Sequence, residues 1–170
     1  MSPVFEFRRC GIEHLDIVLD VESETLQSLE RPDTLRRNSL EMWRRVLQPP
    51  HYCLGAWVGE ELAAFAVLYI PSGDDLDNLA AMLKNVDVRD YVPANYKICI
   101  VRPRWRGRHL QFQLGQRLAA EAKTRGINLL CATASPYNGA SVKSLLDLGY
   151  REDSRVEKYG FERILFYQIN

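Results

Sequence analysis

Two short apolar runs, at 96–101 and 128–134, flank one amphipathic segment, and this spacing constrains the chain more than any other feature of it. The first run is apolar apart from Lys97 and is stopped by Pro103. The second contains Leu129, Leu130, Cys131, Ala132 and Ala134. Runs this short without polar alternation fit strands buried on both faces. Between them, Leu110, Leu114, Leu118 and Ala122 recur every fourth residue along 109–125, and Gly126 follows as a helix-ending residue. A strand, a helix and a strand in this order join two parallel strands by a right-handed crossover.

The remaining segments surround that unit. Residues 3–9 place Val4, Phe5 and Phe7 among polar neighbours and read as a strand. Residues 11–29 carry Ile12, Leu15, Val18, Leu19 and Leu26 at a helical period. Asp33 reads as the N-cap of a second helix through Leu35, Leu40, Trp43 and Leu47, closed by Pro49-Pro50. Strands at 52–58 and 62–70 flank a Gly59-Glu60 turn and form a hairpin. A weak helix is expected at 77–85. Beyond the crossover, Asn138 or Ser141 starts a helix with Val142, Leu145 and Leu146, ended by Gly149, and strands follow at 156–158 and 164–169. The order predicts one α/β domain over 1–170 with a mixed sheet, its hairpins antiparallel.

Charge points to a local site. Lys plus Arg and Asp plus Glu number 22 each, which disfavours a globally basic nucleic-acid binder. Within 95–125, however, eight basic residues face Glu121 alone. That concentration suits a local anion site. Cys10, Cys53, Cys99 and Cys131 are scattered without a CxxC pair, so reduced thiols are expected and no metal site is. No apolar run reaches membrane-spanning length and the start lacks signal-peptide character, so a cytoplasmic protein without membrane contact is expected.

The most informative stretch is Val101-Arg102-Pro103-Arg104-Trp105-Arg106-Gly107-Arg108-His109-Leu110-Gln111, between the apolar strand and the amphipathic helix. Unpaired amides and the positive dipole end at a helix start hold phosphate, and flanking arginines add charge. The other reading of these residues is an exposed basic turn. Neither a Walker A loop nor a GxGxxG fingerprint is present.

This stretch resembles the GNAT superfamily of acyl-CoA-dependent N-acyltransferases. Val101-x-Pro103, Trp105, Arg106 and Gly107 match a family pattern of Val-x-Pro, an aromatic, then Arg-Gly-x-Gly-x-Gly/Ala. His109 and Gln111 depart from it, standing where the family has small residues. A second block, Asn138 through Ser141, Val142, Leu145 and Leu146 to Leu148-Gly149-Tyr150, is similar to the family's later helix. The resemblance covers 95–150 and is compatible elsewhere through element order. It implies a mixed, mostly antiparallel sheet of about seven strands, with helices on both faces and a splay at the strand ending near Val101.

By the same resemblance, the chain would use acetyl-CoA as co-substrate, with no metal, and an amine as acceptor; a homodimer would be allowed. Cys99, Ile100 and Val101 would contact the pantetheine arm. Arg106, Gly107, Arg108, His109, Leu110 and Gln111 would wrap the pyrophosphate, and Asn138 would line the arm near the thioester. Arg102, Arg104 or Lys143 would reach the 3′-phosphate. The side-chain N–H groups of His109 and Gln111 are expected to point outward or donate to phosphate. The main-chain N–H of Val101 or a neighbour would face the acyl oxygen as charge develops there.

The amine must lose a proton before attack, and the leaving thiolate needs one. Many family members use a Tyr in the later helix as the acid; that register falls on Leu145. They often carry a Glu base near position 97, where this chain has Lys97. Tyr96, Cys99, Tyr137 and Tyr159 are the replacement candidates, and Glu22, with Glu24 on the first helix, is the carboxylate candidate facing the acceptor site. Glu22 and Glu24, and more loosely Asp74, Asp75 and Asp77, are candidates for attracting a cationic amine. Two other functions compete: a GNAT-like acyl-CoA sensor with little catalysis, and nucleic-acid binding through Arg102–Arg108 and Trp105. Zero net charge and the lack of interleaved aromatics argue against the second.

Overall fold

The structure, a computed structural model, describes residues 2–31 and 34–170. Its elements run β1 (Glu6–Cys10), α1 (Leu15–Gln27), α2 (Leu40–Val46), β2 (Tyr52–Val58), β3 (Glu61–Tyr69), β4 (Pro93–Val101), α3 (Leu110–Thr124), β5 (Leu129–Ala134), α4 (Gly139–Asp147), β6 (Arg151–Lys158) and β7 (Phe161–Ile169). The strands form one seven-stranded sheet in the order β1-β2-β3-β4-β5-β7-β6. β4 and β5 pair parallel, and every other neighbouring pair is antiparallel. This is the expected mixed, mostly antiparallel sheet.

Strand alternation sorts the core onto two faces. On β3, Ala64, Ala66 and Leu68 pack with Leu110, Leu114, Leu118 and Ala122 of α3 and Leu145 of α4. Phe65, Val67 and Tyr69 pack instead with Val18 and Val21 of α1 and Trp43 and Val46 of α2. Helices therefore cover both faces. Gly115 lets α3 approach α4: a β-carbon there would lie 2.4 Å from Leu148 Cδ1. Among the described residues, no helix is long and apolar enough to cross a membrane.

Four expected elements differ in extent. The first helix begins as a 3-10 turn at Ile12–His14 before α1. The second starts at Leu40, where Ser39 Oγ accepts the Met42 N–H at 3.1 Å; the Asp33 cap falls outside the described residues. No α-helix forms at 77–85. Asn78 and Asp87 each cap a short 3-10 turn, Leu79–Met82 and Val88–Asp90, because their side chains satisfy local N–H groups and favour turns. Leu79 and Ala80 pack on Leu129, Cys131 and Leu165, so this segment covers the sheet beside β5 and β7. β6 is far longer than its expected apolar tip; its sequence REDSRVEK is polar because it is an edge strand.

β4 contains one irregularity that matters below. Val67 pairs with Ile98 and Leu68 with Tyr96, so Lys97 is an extra residue in the ladder. The bulge shifts the alternation. Ala94 and Tyr96 share a face with Cys99 and Val101, whereas Ile98 and Ile100 face the other cluster.

Candidate functional site

Parallel pairing between β4 and β5 lasts for three positions, Pro93 with Leu129, Ala94 with Leu130 and Asn95 with Cys131. Beyond them no ladder joins the two strands, and a cleft of about 1060 Å³ opens. Its walls are β4 from Tyr96 to Val101, the loop into α3, the first turns of α4, and the C-terminal end of α1 with the segment after it. Main-chain groups of β4 that would otherwise bond β5 face this gap. Two buried hydroxyls among the lining residues, those of Thr25 and Ser144, have no hydrogen-bond partner among the described residues.

The loop into α3 presents a row of free amides. The first helical hydrogen bond runs from the Gln113 N–H to the His109 carbonyl at 3.0 Å. The amides of Leu110, Gln111 and Phe112 thus lack a helical acceptor. Gly107 adopts φ +78° and His109 φ +59°, both left-handed. Left-handed residues at this turn, followed by the free amides of the first helical turn, make an arrangement that suits an anion. A β-carbon on Gly107 would meet nothing within 4 Å, so it is the backbone conformation that calls for glycine there.

The loop is held from behind by its own arginines. Arg102 is 8% exposed; it donates from Nε to the Leu62 carbonyl at 2.7 Å and pairs with Asp20 and Glu24 of α1. Arg104 forms a two-pronged pair with Glu61, which also accepts the Trp105 indole N–H at 2.7 Å. These contacts overturn the expectation that Arg102 or Arg104 reaches a 3′-phosphate: both are spent on fixing the loop. Arg106 lines the cleft and donates to Ser28 Oγ at 3.2 Å, and Arg108 lies over the Trp105 ring. Lys143 lines the opposite lip with its ammonium 2.5 Å from Asp147.

Gln111 does not obstruct the loop. Its Nε2 donates to Ser141 Oγ at 3.1 Å, tying α3 to α4. Asn138 caps α4, accepting the Ser141 N–H at 3.2 Å, while it lines the cleft. Cys99, Ile100 and Val101 line the β4 wall of the cleft.

The other end of the cleft differs from expectation. Glu22 is 1% exposed, accepts the Asn38 N–H at 3.0 Å and does not line the cleft. Glu24 is committed to Arg102, and Asp75 accepts the Tyr69 hydroxyl at 2.5 Å. Asp77 lies 3.7 Å from Lys97 and 3.8 Å from Lys158, and Asp74 is exposed. None of the five proposed acidic residues lines the cleft. What lines it at this end is Arg31, Arg36, Lys97, Tyr137, Tyr159 and Arg163, with Glu30 as the acid.

Among the proton-carrying candidates, Tyr96 and Cys99 are neighbours on β4. Burial holds the Tyr96 hydroxyl well above its usual range and pushes the Cys99 thiol up to about 12. Tyr159 sits in the β6–β7 turn at φ +60°, with its oxygen accepting from Lys97 Nζ at 3.2 Å; burial, then nearby Asp77, raises its pKa. Burial lowers the pKa of Lys97, opposed chiefly by Asp77. Tyr137 is 60% exposed beneath Arg31, whose Cζ is 3.7 Å from the ring. Leu145 is 2% exposed in the core, so α4 brings no phenol to its register.

Sequence reasoning missed Glu61, Ser28 and Arg36. No short-range pattern marks them; Glu61 lies 43 residues from Arg104 and meets it only through the β2–β3 turn.

Comparison with solved structures matches this geometry over the whole chain. The ribosomal-protein-S18-alanine N-acetyltransferase of Escherichia coli superposes with a TM-score of 0.73 at 16% identity, covering 98% of this chain and 94% of that one. The GNAT domain of S. lividans PAT gives 0.66 at 18% identity, over 96% and 90%. The yncA protein of Salmonella typhimurium, solved with its cofactor acetyl-CoA, gives 0.70 at 14% identity, over 97% and 93%. No family profile matches the sequence, and no curated protein matches it by sequence. The chain thus has the GNAT fold, shared with structures of GNAT-family acetyltransferases at low sequence identity.

Proposed function

We propose that this chain, as a single domain over 1–170, is an N-acetyltransferase that moves the acetyl group of acetyl-CoA to a primary amine by direct attack. The observation that carries the reading is the splayed β4–β5 gap ending at an amide-lined loop. The residues present fit acetyl-CoA. The free amides of Leu110, Gln111 and Phe112, with Arg106, suit a pyrophosphate, whereas Arg108, over the Trp105 ring, does not line the cleft. The unpaired edges of β4 suit an amide-bearing arm, and the orphaned Ser144 hydroxyl awaits a polar partner.

Bound acetyl-CoA supplies an activated thioester. The chain's residues orient it and manage protons. Backbone N–H groups of β4 near Val101 would donate to an acyl oxygen as it gains charge. Tyr96 and Cys99 keep their protons at neutral pH because burial disfavours their anions. A raised pKa makes each a weaker acid, but the same burial raises the basicity of a leaving thiolate on this wall, so either can return a proton to it, a task the later helix leaves open at Leu145. That buried leucine also supports a second reading, an acyl-CoA sensor of low turnover.

Calorimetry with acetyl-CoA at two salt concentrations, then thiol release across an amine panel, separates these readings. Micromolar binding that weakens with salt, together with turnover, supports the transferase; binding with no turnover supports the sensor; no binding refutes both. Tyr96→Phe is expected to lower kcat by about tenfold or more while leaving the acetyl-CoA Kd unchanged. An unchanged kcat removes Tyr96 from the proton path.

A further inference from the structure

We propose that the acceptor is a small amine that also carries an anionic group, a carboxylate or a phosphonate, held by Arg36 and Lys97. The inference rests on the transferase reading above and names the substrate class of the same cleft.

The loop into α3 and Arg106 account for the anions of the acyl donor at one end of the cleft. A second positive region occupies the other end, where the amine must enter. Arg36 has no carboxylate within ion-pair distance among the described residues; its guanidinium lies 4.1 Å from the Tyr159 ring centroid. The Lys97 side chain is 6% exposed; its ammonium donates to the Tyr159 hydroxyl at 3.2 Å and lies 3.7 Å from Asp77, a carboxylate it shares with Lys158. Arg31 and Arg163 line the same end. A largely buried ammonium that shares its ion-pair carboxylate is poorly compensated, and exposed Arg36 near it has no carboxylate within ion-pair distance among the described residues. A substrate anion completes it, and a guanidinium favours planar, two-point recognition of carboxylate.

Against these cations the same end has one lining carboxylate, Glu30. A cationic amine would be repelled here, whereas an amine with its own anion is admitted. Once bound, the surrounding positive charge disfavours the protonated amine and so favours the nucleophilic free base. Lys97 thus stands on the β4 bulge as an anion holder where the family resemblance would place a base. Size follows from the Tyr159-Gly160 turn, which folds over Lys97 and places the Tyr159 oxygen on its ammonium. A capped pocket suits a small zwitterion better than a polypeptide.

The test compares each of several L-amino acids with its α-amide, and 2-aminoethylphosphonate with ethanolamine, as acceptors for acetyl-CoA. In parallel, calorimetry measures binding of the same compounds to the CoA-loaded protein. Anionic members are expected to be favoured about tenfold or more in kcat/KM, and whether carboxylate or phosphonate leads identifies the group. Arg36→Gln and Lys97→Met should each erase most of that preference by raising KM, with the acetyl-CoA Kd unchanged. If binding shows the preference but nothing turns over, the anion site stands and the transferase reading falls. Equal use of the neutral partners, use only of acidic peptides, or no binding of any zwitterion overturns the proposal. So does a preference that survives both substitutions.

Discussion

His109→Gly should make the protein more stable. His109 is the N-cap of α3 at φ 59°, ψ 25°, and its side chain makes no capping hydrogen bond. A side chain in this left-handed conformation costs about 1–2 kcal/mol, from the approach of the β-carbon to the following carbonyl. Glycine has no such cost but loses about 0.5–1 kcal/mol of extra chain entropy on folding. The difference leaves a gain of roughly 0.7 kcal/mol. For a chain of this length that is an increase of about 1–3 °C in Tm. His109→Ala keeps the β-carbon and is the control: it should match the native protein within about 0.5 kcal/mol. Urea unfolding midpoints, with thermal scans, measure all three proteins. The loop conformation is retained in the glycine variant, so acetyl-CoA affinity should hold or rise. A glycine variant less stable than the native protein would refute the strain argument. Weaker acetyl-CoA binding at unchanged stability would instead make the imidazole a ligand.

Two further outcomes follow from contacts behind and beside the cleft. Arg102→Met removes the hydrogen bond to Leu62 and the pairing with Asp20 and Glu24, and should cost about 1.5–3 kcal/mol in chemical denaturation. Because Arg102 faces α1, the affinity ratio of CoA to 3′-dephospho-CoA should not change; a collapse of that ratio would return Arg102 to the 3′-phosphate. His51 accepts the Ile70 N–H at Nδ1 at 3.0 Å, and burial, then Arg45, depresses its pKa below 6.5. The unfolded chain therefore binds this proton more readily, so the His51 contribution is complete above pH 6.5 and is lost as pH falls toward the folded value. His51→Asn, which can still accept at its amide oxygen, should flatten the loss of stability between pH 7.5 and 5.5; an unchanged slope assigns that loss elsewhere.

What the sequence made legible was whatever one element carries within itself. The stripe of Leu110, Leu114, Leu118 and Ala122 obeys the helical period, the runs of β4 and β5 are apolar because both their faces are covered, and the turn at Gly59 carries its own left-handed glycine. β6 escaped because an edge strand need not be apolar, and 77–85 escaped because its capping residues favour short turns over a helix. The loop into α3 could be located, yet the fate of its arginines could not. Local spacing makes Arg102, Arg104 and Arg106 look alike; their partners, Glu24, Glu61 and Ser28, come from distant elements and decide which face the cleft. The bulge at Lys97 had no sequence mark at all, and it governs the site. Strict alternation along β4 would separate Tyr96 from Cys99 and Val101, onto opposite faces. The extra residue instead brings them to one face and carries the ammonium toward Tyr159. One inserted position in a single ladder thus gathers Tyr96, Cys99 and Val101 on one wall of the cleft, and leaves the Lys97 ammonium beside Tyr159 at its other end.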